Sequence, residues 1–184
     1  MERVMIVGGP GSGKSTLARE LGALTCLPVH HMDHVHWKPG WEERPRDEKI
    51  AMALEIEGRS HWIFEGNMSA TYHNRVTRCD TFIWLDLPVS LRLWRVLRRT
   101  ILYLGKTRPD LPDGCPETLG PQTAEFIGFI LRTRNTSREK IRRLFDGAPD
   151  HVETIRLRSL SDVQTFLEKC RGLASKPQGP VREA

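Results

Sequence analysis

The clearest chemistry in the chain lies near its start. Gly8-Gly9-Pro10-Gly11-Ser12-Gly13-Lys14-Ser15 fits the pattern G-x-x-x-x-G-K-[ST] in full. Glycines let a backbone take conformations closed to other residues, and they let N–H groups approach phosphate oxygens closely. A helix opening near Lys14 adds unsatisfied N–H groups and a positive dipole end aimed at the same anion. The expectation is a phosphate cradle over Gly8 to Thr16 that holds ATP. Lys14 is expected to reach the β- and γ-phosphates, and the Ser15 hydroxyl to ligate Mg2+.

Arginine is the second signal. It supplies 21 of the 28 Lys and Arg residues, and ten arginines fall between Arg92 and Arg143. Its planar fork grips phosphate in two places at once. A solvated basic helix face and a nucleic-acid contact are the competing readings of the same charge. His30, His31, His34 and His36 surround Asp33, which suits a polar pocket, a metal site or plain surface. Trp37 and Trp41 suit stacking on a planar substrate or packing beneath a loop. Cys26, Cys79, Cys115 and Cys170 are far apart and form no C-x-x-C pair, so zinc and redox motifs are not supported.

These residues need a scaffold. Val4 to Val7 is an apolar run that suits a strand buried on both faces. Lys14 to Thr25 carries Leu17, Leu21 and Leu24 at helical spacing. Further strands are expected at Pro28–His31, His61–Glu65, Thr81–Leu87 and Val152–Leu157, with a turn at Pro39-Gly40. Helices are expected at Arg46–Arg59, Ala70–Arg78, after Pro88, over Gln122–Phe145, and from a capping box at Ser161 and Gln164. In the helix after Pro88, Leu91, Trp94, Leu97 and Ile101 form one face, and Arg92, Arg95 and Arg99 the other. Alternation of strands and helices predicts α/β architecture: a three-layer α/β/α P-loop NTPase fold with a five-stranded parallel sheet. Residues 104–121 hold seven Gly and Pro residues and read as a short lid insertion. One domain is expected over residues 1–173, with 174–184 as a disordered tail. The start of the chain reads as a strand and not as a signal peptide, and no long apolar run suggests a membrane span. A cytoplasmic location without membrane contact is therefore expected.

The chain resembles the small P-loop kinases, the group of adenylate, shikimate and gluconate kinases. Within it, the chain is most similar to adenylate-kinase-like proteins labelled DNA topology modulation (FlaR-related) proteins. The P-loop carries the broad resemblance. The narrower one rests on Met32-Asp33, Trp37–Trp41, Trp62–Asn67, Phe82–Pro88, Leu93–Arg99 and Arg108–Glu117. The resemblance implies that Asp33 orients or deprotonates an acceptor hydroxyl. It implies that Glu65, where many relatives have Asp, holds magnesium through water. Glu65, Gly66, Asn67 and Arg75 are the implied acceptor contacts. Arg95 and Arg99, with Arg134 and Arg138 beyond the lid, are implied to clamp the moving phosphoryl group; Arg132 is a weaker candidate there. Asp86 reads as structural, because the strand it follows lies on the far side of the P-loop strand in such kinases. The implied activity is ATP-dependent phosphoryl transfer to a small-molecule or nucleotide acceptor. The alternative is a nucleotide-binding regulatory ATPase with a macromolecular partner. No helix-turn-helix or zinc finger is visible, so direct nucleic-acid binding is not expected.

Overall fold

A computed structural model describes residues 1–174. The tail expected over 174–184 lies outside the described residues from 175 onward. In chain order the elements are β1 (Arg3–Gly8), α1 (Lys14–Thr25), β2 (Val29–His31), α2 (Met32–His36), β3 (Trp37–Lys38), β4 (Glu42–Glu43), α3 (Arg46–Gly58), β5 (Trp62–Glu65), α4 (Tyr72–Arg78), β6 (Thr81–Leu85), α5 (Val89–Leu102), α6 (Pro121–Asp146), β7 (Glu153–Leu157) and α7 (Leu160–Ala174). Five parallel strands form one sheet in the order β2-β5-β1-β6-β7. The expected three-layer architecture follows from how these strands bury their residues.

The central strands alternate side chains between two apolar layers. Met5, Val7, Phe64, Phe82 and Trp84 face one layer, where Val76 of α4 and Ile141 of α6 complete the packing. Val4, Ile6, Ile63, Ile83 and Leu85 face the other, against Leu17 and Leu21 of α1 and Leu167 of α7. Burial on both faces explains why these strands read as unbroken apolar runs. β1 sits between β5 and β6, so the loop after it opens at the middle of the strands' C-terminal edge. Ligands bind at that edge in open α/β sheets.

Three local features differ from the expectations. Over residues 32–45 only a turn at Pro39-Gly40 is expected. These residues form the short helix α2 and an antiparallel β3–β4 ribbon. Positive φ at Gly40 (80°) and Trp41 (62°) closes that ribbon. The cap of α7 lies two residues earlier than predicted. Ser159 and Asp162 bond reciprocally, with the Asp162 amide donating to Ser159 Oγ at 3.0 Å and the Ser159 amide to Asp162 Oδ2 at 3.1 Å. Helix α5 turns its Arg92, Val96 and Thr100 face inward and leaves Trp94, Leu97 and Ile101 exposed. Periodicity identified both faces of α5, but the inward one is set by what packs on the phosphate loop.

The Pro- and Gly-rich segment between α5 and α6 is folded. Leu104 pairs with Glu117 and Thr107 with Pro116. It docks on the β3–β4 ribbon: the Gly40 amide donates to Gly114 O at 3.0 Å, and Trp41 Nε1 donates to Pro116 O at 3.0 Å. Among the described residues, no helix is long and apolar enough to cross a membrane.

Candidate active site

β1 delivers its last residue, Gly8, to a loop that turns into α1 at Lys14. Gly13 caps that helix with φ 92°, and no side chain bonds the first-turn amides. Those N–H groups are left for a ligand, the arrangement an anion site requires. Gly11, with φ 76°, has a second reason to be glycine. A Cβ there would sit 2.3 Å from Arg92 O and 2.9 Å from Val96 Cγ2. The loop is therefore pressed against α5. It is held from the other side by Asn67, whose Nδ2 donates to Gly8 O at 2.7 Å while its Oδ1 accepts from the Gly8 amide at 3.3 Å.

The loop floors a cleft of 1460 Å³. Gly9, Pro10, Gly11, Gly13, Lys14 and Ser15 line it, as does Thr16. Gly8 and Ser12 do not line it; Ser12 is buried behind the loop with its hydroxyl unpartnered. Lys14 Nζ reaches Gly9 O only at 3.5 Å. Asp33, Glu65, Gly66 and Asn67 line the same cleft. Glu65 is almost fully buried and shares a 2.8 Å contact with His31 Nδ1. The Asp33 carboxyl has no hydrogen-bond or ion-pair partner among the described residues, while its backbone carbonyl accepts from the Trp37 amide. Burial pushes its carboxyl above the ordinary value and nearby Glu65 adds to this, while Lys14 and Arg108 oppose it.

Arg95, Arg99 and Arg134 border the cleft. Arg95 donates to Ser12 O at 3.2 Å, so it braces the loop. Arg99 Nε lies 3.5 Å from Glu117. Arg134 bonds only the Leu131 carbonyl of its own helix. One expected contact needs correction. Arg75 is fully buried. Its Nε lies 3.1 Å from Glu57, which is also fully buried, and it donates to Gly66 O at 2.9 Å. It shapes the turn after β5 and presents nothing to an acceptor. Arg138 borders the cleft, but its guanidinium grips Asp86 at 2.7 and 2.9 Å. Arg156 shares that carboxylate at 2.6 Å, which ties α6 to β7 and gives Asp86 its structural place. Asn67 is a partial case: it lines the cleft, yet its amide is engaged by Gly8.

Other residues escaped the sequence reading. Arg92 was assigned to a face but not to the site. Its guanidinium fills the space beside Gly9, where a Cβ would meet it at 1.2 Å, and its Nε is buried without a partner. Burial holds its pKa below the ordinary value. Arg108, Asp110 and Glu117 form a buried network within the Pro- and Gly-rich segment, with Arg108 Nε 2.6 Å from Glu117. Three charged residues inside an irregular segment were the only hint of it. The histidine cluster makes no metal centre. Among the described residues, no group of three or more His, Cys, Asp and Glu side chains is placed to hold an ion. Ser15 and Glu65 both line the cleft and are oxygen donors of the kind Mg2+ takes.

Neither a protein-family model nor a curated protein matches the chain. Solved structures do. Shikimate kinase from Bacteroides thetaiotaomicron aligns with TM-score 0.56 at 13% identity, over 94% of this chain and 97% of that one. Shikimate kinase from Acinetobacter baumannii in complex with shikimate aligns with TM-score 0.53 at 16% identity, over 94% and 93%. A gluconokinase from Sinorhizobium meliloti 1021 aligns with TM-score 0.52 at 12% identity, over 95% and 91%. At such identities the likeness is one of fold, and the chain has the three-layer α/β/α fold of the small P-loop kinases.

Proposed function

We propose that the protein is an ATP-dependent phosphotransferase that moves the γ-phosphate to a small hydroxyl-bearing acceptor. The observation that carries this reading is the placement of Asp33. It is an unpartnered carboxylate in one cleft with an uncapped helix N-terminus and Lys14. One end can hold the donor phosphates, and the other can orient the attacking hydroxyl. The kinase fold of the neighbours supports it.

In this reading the α1 amides and Lys14 hold the donor phosphates, and Arg95, Arg99 and Arg134 face charge that develops on the equatorial oxygens. Ser15 and Glu65 would hold Mg2+, which supplies charge neutralisation between donor oxygens. Asp33 accepts the acceptor's proton or directs its lone pair. Residues 104–121 act as a lid that limits water at the transferring group, supported by their docking on the 37–43 ribbon. Transfer forms a bond between the acceptor oxygen and the γ-phosphorus, breaks the bond to the β-phosphate oxygen, and releases ADP and a proton. The test is ADP release with a panel of hydroxyl compounds. Stimulation by an acceptor, abolished in Lys14→Ala, is expected. Equal rates with and without every acceptor would refute the reading.

A further inference from the structure

Glu65 lines the cleft, but the group that holds it does not. β2 and β5 run parallel with His31 in register with Glu65, and each residue is the last of its strand. Neighbouring strands in register place such a pair on one face of the sheet. His31 Nδ1 lies 2.8 Å from Glu65 Oε1. Glu65 Oε2 has no hydrogen-bond partner among the described residues. The residues that follow the pair hold the strand ends together. Gly66 has φ 115°, and a Cβ there would lie 2.3 Å from Met32 Cβ.

His31 stands outside the cleft. Its ring borders a separate cavity of 290 Å³, with His30, His34, Met52 and Ile56 among the other walls. His34 tilts against it, with centroids 5.9 Å apart. The His31 side chain is 12% exposed and that of Glu65 4%. A hydrogen bond so sheltered from water is costly to lose. A carboxylate only accepts, so the contact keeps the imidazole proton on Nδ1. Glutamate also has one more rotatable bond than aspartate, so its oxygens need a tether to keep one orientation.

Resting on the kinase reading above, in which Glu65 faces Mg2+, we propose that His31 is a positioning residue whose Nδ1–H fixes one Glu65 oxygen and thereby presents the carboxylate to the cation in one orientation. Its effect passes through Glu65 alone. Partners of this kind behind a metal-binding side chain govern metal affinity by roughly 10–100-fold.

Three variants test the proposal. His31→Phe keeps a ring against the apolar walls and removes the donor. His31→Asn keeps an N–H donor at the position of Nδ1. Glu65→Gln removes the carboxylate through which His31 acts. Mn2+, as a probe for Mg2+, is titrated into the protein saturated with a non-hydrolysable ATP analogue, and the free-Mn2+ EPR signal is read against the analogue alone. Affinity for a fluorescent ATP analogue is measured in parallel with EDTA. His31→Phe should weaken Mn2+ binding roughly 10–100-fold and leave the EDTA affinity unchanged. His31→Asn should stay within about threefold of the parent protein. In the Glu65→Gln background, His31→Phe should cause no further loss. His31→Leu replaces His31→Phe if a thermal melt shows that the latter does not fold. Parental Mn2+ affinity in the apolar variant overturns the proposal. So does a His31→Asn variant no better than it, or an equal loss in the Glu65→Gln background. The expected pattern without phosphoryl transfer to any acceptor would uphold the role of His31 and refute the kinase reading instead.

Discussion

The two ends of the cleft are built on opposite principles. At the phosphate end, binding groups come from backbone geometry. Glycines admit close approach, a helix N-terminus is left uncapped, and Asn67 and Arg95 fasten the loop. At the acceptor end they come from side chains in irregular structure: Asp33 on a five-residue helix, two tryptophans on a ribbon, and a buried ion network in the segment beyond α5. The first design is fixed by a contiguous motif and suits any nucleoside triphosphate. The second gathers residues distant in sequence and can change its ligand with a few substitutions. Binding a common donor and a particular acceptor calls for this division.

The largest test of the contrast is removal of Lys14, the lysine of the phosphate loop. Lys14→Ala should lower turnover by roughly 1000-fold or more while leaving acceptor binding intact, as stopped-flow and equilibrium titration can separate. Loss of acceptor affinity in that variant would show that the two ends are not independent. The next effect is on stability. Glu57→Gln leaves the Arg75 charge buried without its counter-ion, and breaking such a pair costs about 3–5 kcal/mol, visible as a lower denaturation midpoint. The double variant Glu57→Gln/Arg75→Met should recover much of that loss with no change in acceptor KM. A raised KM there would return Arg75 to the acceptor site.

Asp33 gives a smaller effect with a definite sign. Burial, then Glu65, raises its pKa against Lys14 and Arg108. Its ionised form is therefore disfavoured by folding, and ionisation subtracts stability above the raised value. Below the ordinary carboxyl range the folded and unfolded forms are both protonated, and the difference vanishes. Asp33→Asn should thus raise the thermal midpoint at about pH 7 but not near pH 3, while lowering turnover roughly 100-fold. A midpoint that rises equally at both pH values would point to packing and not charge. Asp86 behaves in the opposite way. Burial raises its pKa, but hydrogen bonds from Arg138 and Arg156 outweigh this and hold it below the ordinary value. Its contribution is present above the ordinary carboxyl pKa and is lost as pH falls through the depressed one. Asp86→Asn should cost about 1 kcal/mol at neutral pH, with little change in turnover, because Arg138 is largely exposed and Arg156 only partly buried.

The same contrast explains what could be read from sequence. Gly8 to Ser15 is legible because its geometry is local: each residue type serves the backbone of its neighbours. The central strands β1, β5 and β6 were legible because burial on both faces leaves largely apolar runs such as Val4–Val7. Arg75 was misread because nothing near it in sequence announces Glu57, 18 residues away, as its partner. Arg138 borders the cleft as expected, but its pairing with Asp86 was not legible, since Asp86 lies 52 residues off. The β3–β4 ribbon was missed because strands of two residues carry no period. The Arg108–Glu117 network was missed because charge in an irregular segment reads as solvated until packing shows otherwise.

The central claim is that the cleft joins phosphoryl transfer from donor to acceptor. The most direct measurement is the fate of the γ-phosphate, followed by ³¹P NMR with ATP, Mg2+ and the acceptor panel. One new phosphomonoester should form for each ADP, with little inorganic phosphate. ADP matched by inorganic phosphate, whatever acceptor is present, would contradict it and identify a nucleotide hydrolase instead.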